Sequence, residues 1–434
     1  MRSRRLVLAI VSIAALGLAL RIVYALAVAQ DSPLLGDGLE YHGLARVISE
    51  GQGFVSPLTP PGEDPVPTAH KPPLYPAVLA LVSLLGGAGY AAHQIASAVL
   101  GTATVVVCAL LALRLAGPRA GLLAAGLGAF YPVYLVADAS LRAESLFGLL
   151  VALALLAGYR AWERPTVWRL TQLGALIGLA ALTRSEGLVL LVLLALPVVW
   201  RAGEPRRPAK LAVVAAACGL VLAPWLIRCW IVFDEPVAIS TSYGDLLAGA
   251  NCDATYYGEA LGAWEFNCVT GETGGDEAEI ARRLRARGLD YASEHAGRLP
   301  AVAGVRLLRP WGLYDPAGEV RGKTLGEGSN QTVNWLGLGT AWALMLLAAG
   351  GLLVLRRRGQ PLFILLAPFA LVLFLSVTAY GILRFRAPAD VALIVLGAVA
   401  LDALLDRRPL TTRSRIAANA SALMTHPTRT LAGS

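Results

Sequence analysis

The stretch AAHQIASAVLGTATVVVCALLALRL, residues 91–115, decides the fold class. Its only formally charged side chain is Arg114. At about 1.5 Å per residue an α-helix of this length crosses a hydrocarbon layer about 30 Å thick. Runs of the same kind recur at Leu6–Ala29, Ala120–Ala137, Ser145–Ala161, Leu170–Thr183, Leu188–Trp200, Leu211–Phe233, Trp335–Leu355, Pro361–Tyr380 and Pro388–Leu405. Hydrophobic residues make up 56% of the 434 and charged residues 15%. Together with a mean hydropathy of +0.61, this excludes a set of soluble domains. The expectation is an all-α polytopic membrane protein of about ten transmembrane helices.

The net charge of +8 points to topology rather than to nucleic acid, because the basic residues fall between the apolar runs. With the N-terminus inside, every second loop is basic: Arg2, Arg4 and Arg5; Arg114 and Arg119; Arg160, Arg164 and Arg169; Arg201, Arg206, Arg207 and Lys210; Arg356, Arg357 and Arg358; then Arg407 and Arg408. That is positive-inside bias, and it places both termini in the cytoplasm of a multi-pass plasma-membrane protein. Leu74–Gly87 is too short to span and is opened by Lys71-Pro72-Pro73; it reads as a juxtamembrane or re-entrant helix on the outer face. The N-terminal run also has the form of a cleavable signal peptide, but it continues past Arg21 to Ala29 and the loop pattern requires it as a span.

Two extracytoplasmic segments are long, 30–73 and 234–333. The second carries Cys252 and Cys268, whose location outside the cell favours a disulfide. It also carries an acidic-to-basic helical stretch from Asp276 to His295, and Arg309-Pro310-Trp311 suggests an interfacial helix. One membrane domain, 1–405, is followed by a polar segment, 406–434, that reads as a disordered cytoplasmic tail. Neither a P-loop, a dinucleotide-binding fingerprint nor a metal-ligand cluster occurs, so no cofactor and no metal is expected.

Once the cytoplasmic loops have claimed most arginines, the informative charges are those at the outer ends of spans: Asp138, Arg142 and Glu144; Arg184 and Glu186; Arg384 and Arg386. They can pair with one another as interfacial anchors. As a set, four arginines placed against the positive-inside bias fit an anionic ligand such as a lipid phosphate, which guanidinium recognises bidentately. Gly36-Asp37-Gly38 adds a carboxylate just outside the first span. It is either an ordinary turn or a point of close backbone approach to a ligand.

Taken in order, Asp37, the element His70-Lys71-Pro72-Pro73-Leu74, an acidic residue between the third and fourth spans and Arg384-Phe385-Arg386 before Pro388 resemble the GT-C glycosyltransferases. The similar branch is that of the bacterial relatives of protein O-mannosyltransferases and of the aminoarabinose transferase acting on lipid A. The resemblance runs from Leu6 to about Leu405. It implies a GT-C-like fold and a polyprenyl-phosphate sugar as donor substrate. It implies an acceptor in the cell envelope (glycan, lipid or protein), an extracytoplasmic active site and no nucleic-acid partner. By position Asp37 would be the catalytic base, with Glu40 a second candidate. Lys71, Arg384, Arg386 and Arg184 would face the donor phosphate. His70 and Glu186 would support the site, and Asp138 and Glu144 compete for its second acidic position. One base and one cationic phosphate site imply a single inverting displacement. The segment 234–333 lacks the large soluble insert of the eukaryotic protein O-mannosyltransferases. A transporter or flippase of lipid-linked sugars is the alternative, and a noncatalytic receptor a further one.

Overall fold

The computed structural model describes residues 2–29, 36–60, 62–201 and 207–406. The expected tail, from residue 407, and the start of the first loop, 30–35, lie outside the described residues. The helices follow in order: α1 Arg2–Val23, α2 Gly36–Ser49, α3 Leu74–Leu84, α4 Tyr90–Ala116, α5 Pro118–Ala129, α6 Pro132–Ala139, α7 Glu144–Glu163, α8 Val167–Thr183 and α9 Leu196–Arg201. They continue as α10 Arg207–Val232, α11 Tyr243–Ala250, α12 Asp253–Tyr256, α13 Glu277–Glu294, α14 Leu299–Leu308, α15 Pro316–Glu327, α16 Gln331–Arg357, α17 Phe363–Thr378 and α18 Ala387–Leu405. Among the described residues the only β pairing is a single bridge, Val55 to Pro67.

The chain is a multi-pass, all-α membrane protein, with fewer full-length crossings than the sequence pattern suggested. Among the described residues six helices are long and apolar enough to span, and seven if α5 and α6, bent by 50°, form one. The runs expected at Leu170–Thr183 and Pro361–Tyr380 fold as α8 and α17, apolar helices of 17 and 16 residues that fall short of that length. The run at Leu188–Trp200 is broken into a 3-10 turn, Ser185–Val189, a π turn, Leu191–Ala195, and α9. Proline supplies a cause. Pro197 has no N–H and crowds the carbonyl one turn back, so the ladder widens just before it. Pro132 opens α6 after a non-helical Tyr131, producing the bend. Hydropathy counts apolar residues and is blind to these interruptions.

The helices α7 and α18 form the centre, each with 78% of its apolar window buried, against 22% for the N-terminal span and 28% for α10. This explains why α18 is apolar on all sides, whereas peripheral helices leave Leu8, Leu220, Ile231 and Leu346 exposed, as a lipid-facing surface requires. Leu74–Leu84 is an 11-residue apolar helix, short for a crossing, as its length implied. Cys252 and Cys268 are joined by a disulfide in the second long loop, and α13 occupies the acidic-to-basic stretch with Asp276 capping its first turn through Glu279 N–H at 2.8 Å.

Arg21, within the first span, is committed inside the bundle. It is 1% exposed, donating Nε to Asp138 at 2.9 Å and its other nitrogens to the carbonyls of Gly17, Gly128 and Ala129 at 3.0–3.1 Å. Asp138 also accepts from Ser145 Oγ at 2.6 Å, and Gly101 is required opposite, where a Cβ would overlap its carboxylate. Removing one partner of a buried pair strands the other's charge, which costs about 3–5 kcal/mol, while replacing both by apolar groups costs far less. Arg21→Leu is therefore expected to lower unfolding stability in detergent markedly, and Arg21→Leu with Asp138→Leu to recover much of that loss. Additive losses in the double variant would show that the pair is not coupled.

Candidate active site

Several carboxylates begin helices. Asp37, Glu144, Asp245 and Asp390 lie in the first turns of α2, α7, α11 and α18, where unpaired N–H groups and the helix dipole favour a negative charge. Three of them gather around one set of cations. Asp37 is not on a free turn. Gly36 adopts φ +54° to start α2, and Gly38 packs so closely on the Ser140 carbonyl that a Cβ would lie 2.6 Å from it. The glycines thus dock α2 against the α6–α7 connection rather than clear a path for a ligand.

Across that connection Leu141 takes a left-handed φ of 49° while fully buried. This conformation costs a branched residue about 1–3 kcal/mol, and it precedes Arg142. Asp37 receives Arg142 Nη1 at 3.3 Å, Lys71 Nζ at 2.8 Å and Arg384 Nη1, cations from three distant parts of the chain. Lys71 is shared with Glu40 Oε2 at 3.2 Å. Arg184 pairs with Glu144 at 2.7 Å and with Glu186, and its guanidinium lies 5.7 Å from the Phe385 ring. His70 stands between Glu40 (2.6 Å) and Asp245 (2.9 Å).

Within this cluster Lys71, His70, Arg142, Arg184 and Arg384 face Asp37, Glu40, Asp245, Glu144 and Glu186, so the charges are matched before any ligand arrives. Burial pushes the Asp37 carboxyl up, but Lys71, Arg384 and Arg142 more than reverse this and hold it well below the usual carboxylate range. Glu40 is lowered despite burial by its hydrogen bond to His70 and by Lys71. Burial and the neighbouring Lys71 disfavour the His70 imidazolium, yet Asp245 and Glu40 outweigh them and raise it to about 9.

A cavity adjoins the cluster, lined in part by Arg142, Glu144, Arg384, Lys323, Tyr134 and Arg386. The pairs of Arg142 and Arg384 with Asp37 connect the two. Two residues expected in the cluster are elsewhere. Arg386 donates Nε to Asp390 at 2.9 Å on the cavity's inner wall, with Tyr131 bonding the same carboxylate oxygen at 2.9 Å. Asp138, also on that wall, is committed to Arg21, which leaves Glu144 as the acidic residue that meets the cluster's cations. Among the described residues no group of three His, Cys, Asp or Glu is arranged to hold a metal.

The sequence reading passed over Asp245 and Lys323 as site residues. Lys323 had a signal, being one of only three lysines. Asp245 had only its place in an N-terminal helical turn.

The second long loop is tied down beside the site. Glu277 of α13 accepts from Thr68 Oγ1 at 2.6 Å, Ala69 N–H at 2.9 Å and Thr241 Oγ1 at 2.5 Å. Arg228 at the end of α10 donates to the carbonyls of Thr68 and Phe54.

Residues 70–228 match the family model described as dolichyl-phosphate-mannose-protein mannosyltransferase. No curated protein matches the chain. Among solved structures it is similar to the Archaeoglobus fulgidus oligosaccharyltransferase AglB in complex with an inhibitory peptide and a dolichol-phosphate, at 17% identity and a TM-score of 0.55. That match covers 96% of this chain and 52% of AglB, so the chain spans about half the length of that protein. An Archaeoglobus fulgidus oligosaccharyltransferase in the apo form gives 16% identity over 95% of this chain and 52% of its own, at a TM-score of 0.54. ArnT from Cupriavidus metallidurans bound to undecaprenyl phosphate is a more distant likeness, 15% identical over 92% of this chain and 78% of its own at a TM-score of 0.44. The fold is GT-C-like.

Because the His70 imidazolium is raised from an ordinary 6.5 to about 9, the contacts it makes add stability fully below about pH 6.5, and this is lost as pH rises through about 9. Thermal stability of the purified protein is expected to fall over that window more steeply than in His70→Gln. Parallel curves for the two would refute the charged assignment.

Proposed function

We propose that this chain is an integral-membrane glycosyltransferase. It would take a sugar from a polyprenyl-phosphate donor and pass it to an acceptor hydroxyl on the extracytoplasmic side, with inversion at the anomeric carbon. The observation that carries the reading is one carboxylate, Asp37, held by Lys71, Arg142 and Arg384 at the edge of a cavity. The mannosyltransferase family match over residues 70–228 and the GT-C-like fold support it. The dolichol-phosphate bound to AglB indicates the donor class.

The chemistry asks for two things. A departing polyprenyl phosphate is stable as an anion, so cations directed at its oxygens lower the barrier without a proton donor. The acceptor hydroxyl must lose a proton as it attacks, and a positioned carboxylate can take it, an effect worth roughly 10²–10⁴-fold.

While Lys71, Arg142 and Arg384 all hold it, Asp37 is too strongly paired to be a good base. A donor phosphate competes for Arg384, Arg142 and Lys71 and offers them a second anion. As these cations turn to the phosphate, Asp37 loses partners and its proton affinity rises. Donor binding thus primes the base, and the acceptor enters second. Arg184, engaged by Glu144 and Glu186, keeps positive charge behind Arg384. Lys323 brings a further cation to the cavity wall. The acceptor, a glycan, a lipid or a protein of the cell envelope, approaches along the two long loops. No cofactor is required, since the lipid-linked sugar is itself the substrate.

The alternative, a transporter of lipid-linked sugars, draws on the broken helix over Ser185–Arg201 and the bent pair α5 and α6, since broken helices at mid-membrane line transport sites. One experiment separates the two. Transfer of radiolabelled sugar from polyprenyl-phosphate mannose or arabinose to cell-envelope extract is expected with the wild type and lost by about 10²-fold or more in Asp37→Asn, while lipid-phosphate binding persists. Arg384→Gln is expected to weaken that binding, and the product linkage to be inverted. Lipid-phosphate binding with no transfer from either donor would favour the transporter, and retained configuration would overturn the single displacement.

A further inference from the structure

Both nitrogens of His70 face carboxylates. Nδ1 lies 2.6 Å from Glu40 Oε1 and Nε2 lies 2.9 Å from Asp245 Oδ2. A neutral imidazole offers one N–H and one lone pair, so only the imidazolium satisfies both neighbours. Glu40 turns its other oxygen to Lys71 Nζ at 3.2 Å, and the same ammonium reaches Asp37 at 2.8 Å. A continuous chain of charged contacts therefore links α11, in the second long loop, to Asp37, although Asp245 touches neither Asp37 nor its cations.

We propose that Asp245 is a positioning residue for sugar transfer: it keeps His70 protonated, and through His70 and Glu40 it fixes the place of Lys71 between Asp37 and the donor phosphate. This rests on the glycosyltransferase reading above.

The charged groups facing the ring are Glu40 from α2, Asp245 from α11 and Lys71 from its own segment. Burial and Lys71 oppose the imidazolium, and the two carboxylates sustain it at about 9. Without the Asp245 charge, Glu40 alone opposes them, and the ring gives up its proton at lower pH. A neutral ring leaves Glu40 with Lys71 as its remaining cation. Lys71 is then drawn from Asp37 towards Glu40, and the phosphate site loses its ammonium.

The backbone around His70 has independent anchors. Ser240 Oγ donates to the His70 carbonyl at 2.5 Å, Thr68 Oγ1 accepts from the His70 N–H at 3.0 Å, and Glu277 holds Thr68, Ala69 and Thr241. Asp245→Asn, which is isosteric, removes the charge while these anchors keep the loop in place.

The test is the pH profile of donor-dependent transfer from about pH 6 to pH 9.5 by the full-length protein, wild type against Asp245→Asn and Asp245→Glu. In parallel the His70 ring is titrated by NMR of histidine-labelled protein, its signal assigned by loss in His70→Gln. Asp245→Asn is expected to transfer at near wild-type rate at the acid end. It should lose activity at least one pH unit earlier than the wild type, about a tenfold deficit per unit on the alkaline side, with the His70 titration shifted down in step and Asp245→Glu restoring both. A uniform loss at all pH values, or an unmoved His70 titration, overturns the proposal. If the wild type transfers no sugar at any pH, the glycosyltransferase reading fails. The NMR titration then decides the Asp245–His70 coupling by itself: a lowered His70 midpoint in Asp245→Asn supports it and an unchanged one overturns it.

Discussion

Asp37 and the three cations that hold it are the constraint on which the rest of the site depends. Lys71, Arg142 and Arg384 come from the segment before α3, the α6–α7 connection and the turn before α18. A buried carboxylate surrounded by cations is stable only if each arrives with its own support, because an unmatched charge in such surroundings is costly. The structure supplies that support in layers. Glu40 and His70 brace Lys71. The left-handed turn at Leu141 aims Arg142. The Arg386–Asp390 pair pins the short helix carrying Arg384 to the start of α18. The two long loops are joined by Glu277 and Asp245 to the segment that carries His70 and Lys71, so loop placement and site geometry are one problem.

A cluster in which charges already match does not repel an anion, but it is not an empty phosphate trap either. For a phosphate to bind, Asp37 must yield some of its partners. In the proposed mechanism that exchange ties donor recognition to activation of the base. It also accounts for a carboxylate whose proton affinity, while Lys71, Arg142 and Arg384 hold it, is far below what a base requires. The coupling is electrostatic and local, and it needs no movement of the membrane helices.

The amino-acid sequence made the membrane class and the helical architecture legible because hydrocarbon thickness imposes run length directly. It also exposed the charged ends of spans, since arginines such as Arg184 and Arg384 fall outside the alternate basic loops that positive-inside bias leads one to expect. Counting crossings went less well, because Pro132 and Pro197 break helices inside runs whose hydropathy stays high. Arg21 shows a different limit: it is solitary in its span and becomes structural only when Asp138 meets it across the bundle. Asp245 could not have been picked out, as its meaning lies entirely in a contact with a histidine 175 positions away.

The measurement that bears most directly on this account is an experimental structure with a polyprenyl phosphate bound. The phosphate is expected within hydrogen-bond reach of Arg384 and Arg142, with at least one of them drawn off Asp37 and the carboxylate turned towards the cavity. A phosphate seated elsewhere while Asp37 keeps all three of its cations would contradict the account.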